Sequence, residues 1–129
     1  MIFNVEVDDR ILPVLAKWHS IETLAMVPNE LTGERFPLMP NLRSIDMSYS
    51  RVSDKGLVQL IESPKLEDLK FSATSLTSSA LVQAVRTGKG HLRGLWLSEV
   101  NLKDGDTDKE RDKLRETVKL IAPELQFGF

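Results

Sequence analysis

The chain contains no cysteine, which excludes disulfides, thiolate metal sites and a cysteine nucleophile. Only two histidines occur among its 129 residues, His19 and His91. Each stands just before an apolar hexamer, in a turn, and neither has the convergent ligands that a metal or catalytic role requires. No charge surplus exists: 17 basic and 19 acidic side chains leave a net −2. Non-specific grip on nucleic acid or anionic membrane needs a basic surplus or stripe, so both are disfavoured as partners. No apolar run approaches 18 residues, so no membrane span is expected. The opening MIFNVEVDDR lacks the basic and apolar regions of a secretory signal, and no Asn-x-Ser/Thr acceptor occurs. These absences suggest a cytoplasmic or nuclear setting. What is present, 41% apolar and 28% charged residues, reads as one soluble globular domain.

The chain repeats itself. Residues 7–26, VDDRILPVLAKWHSIETLAM, align without a gap on residues 52–71, VSDKGLVQLIESPKLEDLKF, at an offset of 45. A shorter unit appears four times, as IETLAM (21–26), LRSIDM (42–47), LEDLKF (66–71) and LRGLWL (92–97). Each reads apolar-x-x-apolar-x-apolar, and the first positions are spaced 21, 24 and 26 residues apart. Leu31, Val52, Leu76 and Leu102 each follow five residues after the hexamer's last apolar position, with Asn29, Ser50, Thr74 and Val100 two places before them.

This pattern resembles the leucine-rich repeat, L-x-x-L-x-L-x-x-N/C-x-L, whose period is 20–29 residues. It is most similar to the longer cysteine-containing class found in F-box substrate adaptors. The hallmark I-T/S-D-x-G-L-x-x-L of that class is matched by Val52-Ser53-Asp54-Lys55-Gly56-Leu57-Val58-Gln59-Leu60. The match degrades at Thr77–Leu81, and Ser50 and Thr74 replace the usual cysteine. Val100 cannot hydrogen-bond the turn, which predicts an irregular last turn. The resemblance implies an α/β fold: a short right-handed solenoid with a parallel β-sheet on its concave face and helices on its convex face.

The residues give the same reading. Period-two alternation in each hexamer marks a strand with one buried face. Leu57, Leu60 and Ile61 share a helical face, as do Leu81, Ala84 and Val85. Ser53 or Asp54, and Thr77 or Ser78, are suited to cap those helices. Pro64 and the glycines 88 and 90 end them. Gly33 and Pro37 predict an extended or 3₁₀ crossover in the second unit. One domain over 1–129 is expected, with a partial repeat at 1–20, repeats at 21–41, 42–65, 66–91 and 92–103, and a cap at 104–129. In the cap, Thr107 and Glu110 form a capping box, and Glu124–Phe127 echoes the strands. Only half a strand is expected at Met1–Phe3, which leaves a fragment, a short isoform, or an edge that meets another domain or chain through Ile2 and Phe3.

No constellation supports an enzyme, and no cofactor is expected. Thr87-Gly88-Lys89-Gly90 follows a helix and precedes a strand, the reverse of a phosphate loop. Ile11–Leu15 resembles the opening of an F-box, but the repeat alignment already accounts for it. Asp104, Asp106 and Asp108 have calcium-loop spacing, yet Lys109 and Arg115 occupy the positions that need glycine and a bidentate glutamate.

Strand alternation places Ser44, Asp46, Asp68, Lys70, Ser72, Gly94 and Trp96 on the solvent side of the sheet, with Tyr49 on its rim. Most are small or polar. Trp96 is the exception: it is a docking point for a partner, is covered by Phe127 or Phe129, or is simply exposed. The candidate protein-binding residues are therefore Trp96, Tyr49, Asp46, Asp68, Lys70, Ser44 and Ser72. The expected function is protein or peptide binding on the concave sheet; the resemblance implies a substrate adaptor of the F-box/LRR type only for a longer parent protein that supplies the F-box. The alternative is a structural or assembly subunit docked through its N-terminal edge.

Overall fold

A computed structural model describes residues 2–3, 8–26, 30–72 and 76–129. Six strands form one sheet in sequence order, every neighbouring pair parallel. They are β1 (Ile2–Phe3), β2 (Thr23–Met26), β3 (Ser44–Met47), β4 (Asp68–Ser72), β5 (Gly94–Ser98) and β6 (Gln126–Gly128). Helices α1 (Leu12–Leu15), α2 (Asp54–Ile61), α3 (Ser78–Gly88) and α4 (Asp108–Ile121) form the other layer, and a 3₁₀ turn at Asp9–Ile11 leads into α1. This is the short leucine-rich-repeat solenoid that the hexamers imply. Residues 30–43 are extended with turns and contain no helix. Gly33 there takes a φ of +79°, a region open to glycine without penalty.

Buried residues follow the two periodicities. Leu24, Met26, Ile45, Met47, Leu69, Phe71 and Leu95 line the inner face of the sheet, and Leu57, Leu60, Ile61, Leu81, Val85, Leu114 and Val118 face them from the helices. No strand-plus-helix unit could bury its stripe alone; stacking makes one continuous core. Trp18, His19's neighbour, is half-buried against that core.

The caps form as their side chains dictate. Ser53 Oγ accepts from Gly56 N at 3.0 Å, Thr77 Oγ1 from Ala80 N at 3.1 Å and Thr107 Oγ1 from Glu110 N at 3.2 Å. Thr107 Oγ1 also donates to Glu110 Oε1, giving the side-chain contact of a capping box.

The 45-residue offset has a physical basis between repeats. Asp9 accepts from Thr32 N and Oγ1 at 3.2 and 2.7 Å. Asp54 accepts from Thr77 N and Oγ1 at 2.9 and 3.0 Å. Each aspartate at the start of one helical half thus pins the next repeat. Gly56 is required by close approach: a Cβ there would lie 1.9 Å from the Thr32 carbonyl oxygen. At the last unit the direction reverses, and Asp104 accepts from Ser78 N at 2.8 Å.

The turn after β5 retains one feature of its counterpart after β3. Tyr49 and Glu99, each two residues past the strand's last buried position, take left-handed φ values of +65° and +53°. In place of a side chain at Val100, Arg111 donates from Nη2 to the Val100 carbonyl at 2.8 Å. Val7, Val27, Asn29 and Thr74 of the repeat alignment, and the side chains of Ile2, Phe3 and Ser72, lie outside the described residues.

Candidate binding face

Register puts the outward residues in two rows across the sheet. One runs Ala25, Asp46, Lys70, Trp96, Gly128. The other runs Thr23, Ser44, Asp68, Gly94, Gln126. Adjacent residues in a row are one strand spacing apart, about 4.8 Å. Ser44, Asp46, Asp68, Lys70 and Trp96 therefore share one surface, spread over three strands. Tyr49 stands exposed beyond the end of β3. The backbone of Ser72 pairs with Ser98.

Their surroundings differ. Asp46 Oδ1 accepts from Ser48 N and Oγ at 3.0 and 2.6 Å, so this carboxylate closes the strand's own end. Asp68 and Lys70 are exposed. On the rim before the strands, charges alternate as Glu22, Arg43, Glu67 and Arg93, and Arg43 lies 4.0 and 3.8 Å from Glu22 and Glu67.

Trp96 is held in a way the sequence did not suggest. A Cβ on Gly128 would lie 2.9 and 3.0 Å from Trp96 Cε3 and Cζ3. A Cβ on Gly94 would lie 2.9 Å from Trp96 Nε1. The indole thus lies over two glycines, one on its own strand and one on the next. Its other side remains open, with 38% of the residue exposed. Gly94, on the outward row, is buried because Asp68 and Trp96 cover it. Phe127 and Phe129 do not cover Trp96. Phe127 pairs with the buried Leu95 and packs against the core, and Phe129 packs beside it, 5.3 Å between ring centroids. Arg111 and Arg115 of α4 stack on Phe129. Both phenylalanines therefore belong to the helical side. The roles of Gly94 and Gly128 were missed at the sequence level; a glycine at an outward strand position is the signal of such a close approach.

Two hollows lie off this face. One of about 510 Å³ separates α3 from α4, and one of about 1210 Å³ runs along the strand starts beside Asp68 and Gln126. Among the described residues no group of three or more His, Asp or Glu side chains is placed to hold a metal ion. Among them, too, no helix is long and apolar enough to cross a membrane.

No family model matches the chain. It is similar to "Acidic leucine-rich nuclear phosphoprotein 32 family member A" of Drosophila pseudoobscura pseudoobscura, 28% identical over 112 residues. That similarity covers 86% of this chain and 40% of the relative, so the chain spans less than half of that protein. It is also 43% identical over 44 residues to "Brassinosteroid LRR receptor kinase BRL3" of Oryza sativa subsp. japonica, covering 34% of this chain and 4% of the relative. The chain folds as a short leucine-rich-repeat solenoid. As in such repeats generally, the inner rows of the leucine-rich repeat build the core and leave the outer rows free of a packing duty. On those outer rows Asp46 still caps its own strand, and Gly94 and Gly128 lie beneath Trp96. Leucine-rich repeats in both relatives are consistent with a role in protein–protein interaction.

Proposed function

We propose that this chain binds a protein or peptide partner on its concave face, around Trp96 on β5 and the neighbouring Lys70 and Asp68 on β4. The observation that carries this reading is the Trp96 ring, laid on Gly94 and Gly128 with its other side open. A tryptophan exposed on a sheet leaves apolar area in water, and tryptophan is enriched among the residues that dominate binding energy. Ser44, Asp46, Tyr49 and Ser72 extend the proposed footprint toward β3 and the rim. Mixed charge suits a polypeptide better than a phosphate backbone.

Calorimetric titration of a captured partner against the native protein and Trp96→Ala tests this. The substitution is expected to weaken binding by about 2 kcal/mol or more while thermal unfolding stays nearly unchanged. Unchanged affinity rejects the site. The segment Val52–Leu60 supports a finer reading, a substrate adaptor of the F-box/LRR type. Co-purification of a ubiquitin-ligase subunit with the protein expressed in cells tests that. The fly relative's name, a nuclear phosphoprotein, supports a nuclear setting, which fluorescence localisation checks.

A further inference from the structure

Two strands bring an aromatic ring and a carboxylate to one point. A methyl group on Gly94 would lie 2.5 Å from Asp68 Oδ1 and 2.9 Å from Trp96 Nε1. Among the described residues neither the Asp68 carboxylate nor the Trp96 indole has a hydrogen bond or ion pair. We infer that this corner takes an arginine side chain from an extended segment of the partner; the inference rests on the concave-face reading above.

The chemistry favours a planar cation. Guanidinium can lie flat on the open side of the indole, where the ring quadrupole attracts it. From there its edge N–H groups reach a carboxylate beside the ring as a fork, which an ammonium group cannot match. Gly94 and Gly128 fix the ring in place, so little side-chain freedom is lost on binding.

Charge complementarity points the same way. Asp46, Asp68 and Lys70 share the outer rows and sum to −1. An acidic or phosphorylated side chain would face two carboxylates there against one ammonium. Lys70 sits opposite Asp46, and its long stem lets the ammonium lean into solvent. On the adjacent rim Arg43 lies 4.0 and 3.8 Å from Glu22 and Glu67, and Arg93 stands beyond Glu67.

The test uses the two indole N–H signals, from Trp18 and Trp96, in a two-dimensional ¹H–¹⁵N spectrum of the full chain. Trp96→Phe assigns them. The probes are three acetylated and amidated tripeptides: Gly-Arg-Gly, Gly-Lys-Gly and Gly-Glu-Gly. The arginine peptide is expected to move the Trp96 signal in a saturable way, the lysine peptide more weakly, and the glutamate peptide not at all. Asp68→Asn should weaken the arginine peptide by about two- to fivefold, as for an exposed ion pair. Lys70→Ala should tighten it. Equal shifts with the glutamate peptide, or a titration indifferent to both substitutions, would overturn the inference. Partner affinity that falls on Trp96→Ala but ignores Asp68→Asn would keep the docking face and remove its cation corner. Partner affinity that ignores Trp96→Ala would remove the docking face itself.

Discussion

At the scale of single residues, glycine and tryptophan have exchanged their usual places. Glycine weakens a strand interior, and an exposed tryptophan is an unfavourable surface residue. Here each accounts for the other, because the ring needs a floor without side chains. Gly128→Ala puts a methyl group within 3.0 Å of two ring carbons. A fused ring cannot yield as the tip of a flexible chain would, so the indole must lift. In a Trp18→Phe background, the emission of Trp96 is expected to shift to longer wavelength, and partner affinity to fall. The cost to stability should be small, about 1 kcal/mol, the range of a strand substitution. An unchanged spectrum would mean that the backbone of β6 moves instead of the ring.

At the scale of elements, aspartate side chains tie one repeat to the next. Asp54 carries two of these bonds, to Thr77 N and Oγ1, where Thr77 is itself the cap of α3. Asp54→Ala removes a charged acceptor from two half-buried donors. It is expected to cost about 2 kcal/mol in a urea titration, and loss below about 0.5 kcal/mol would show that water replaces the carboxylate at no penalty. Asp104 offers a pH readout. The Ser78 backbone N–H holds its carboxyl below the ordinary 3.8. The folded form thus binds the proton more weakly than the unfolded one. Its contribution is complete above 3.8 and is lost as pH falls through the lowered folded value. Asp104→Asn should lower the urea midpoint at pH 7 and make its fall below about pH 4 shallower, so that the two proteins converge in acid.

Legibility in the sequence follows the same division. Strands β2 to β5 fall on the four hexamers because period-two alternation is a local signal. The caps at Ser53, Thr77 and Thr107 were legible for the same reason. The Asp9–Thr32 and Asp54–Thr77 bonds were visible only as an unexplained offset of 45, since their partners lie 23 residues apart. The outer rows could be named strand by strand. The floor under Trp96 could not, because Gly128 meets the ring only through the register of β5 on β6.

At the scale of the molecule, stability is a chain of nearest-neighbour contacts, so where a core residue sits decides how far its loss is felt. Leu69 is fully buried on β4, in register with Ile45 on one side and Leu95 on the other. Leu69→Ala opens a cavity shared by three strands and is expected to cost about 2–5 kcal/mol. Set against a total of about 5–15 kcal/mol for a domain, that removes much of the reserve and severs two interfaces at once. Leu15 is equally buried, but on α1, near one end of the stack. The two substitutions can therefore cost similar amounts and still differ in reach. Amide hydrogen exchange separates them. Leu69→Ala should lower protection together in β3, β4, β5 and helices α2 and α3. Leu15→Ala should lower it mainly in α1 and β2, leaving α3 and α4 close to native. If Leu15→Ala depressed α4 as strongly as α1, the repeats would be unfolding as a single block, and Trp96 on β5 would then sense every core change at the far end.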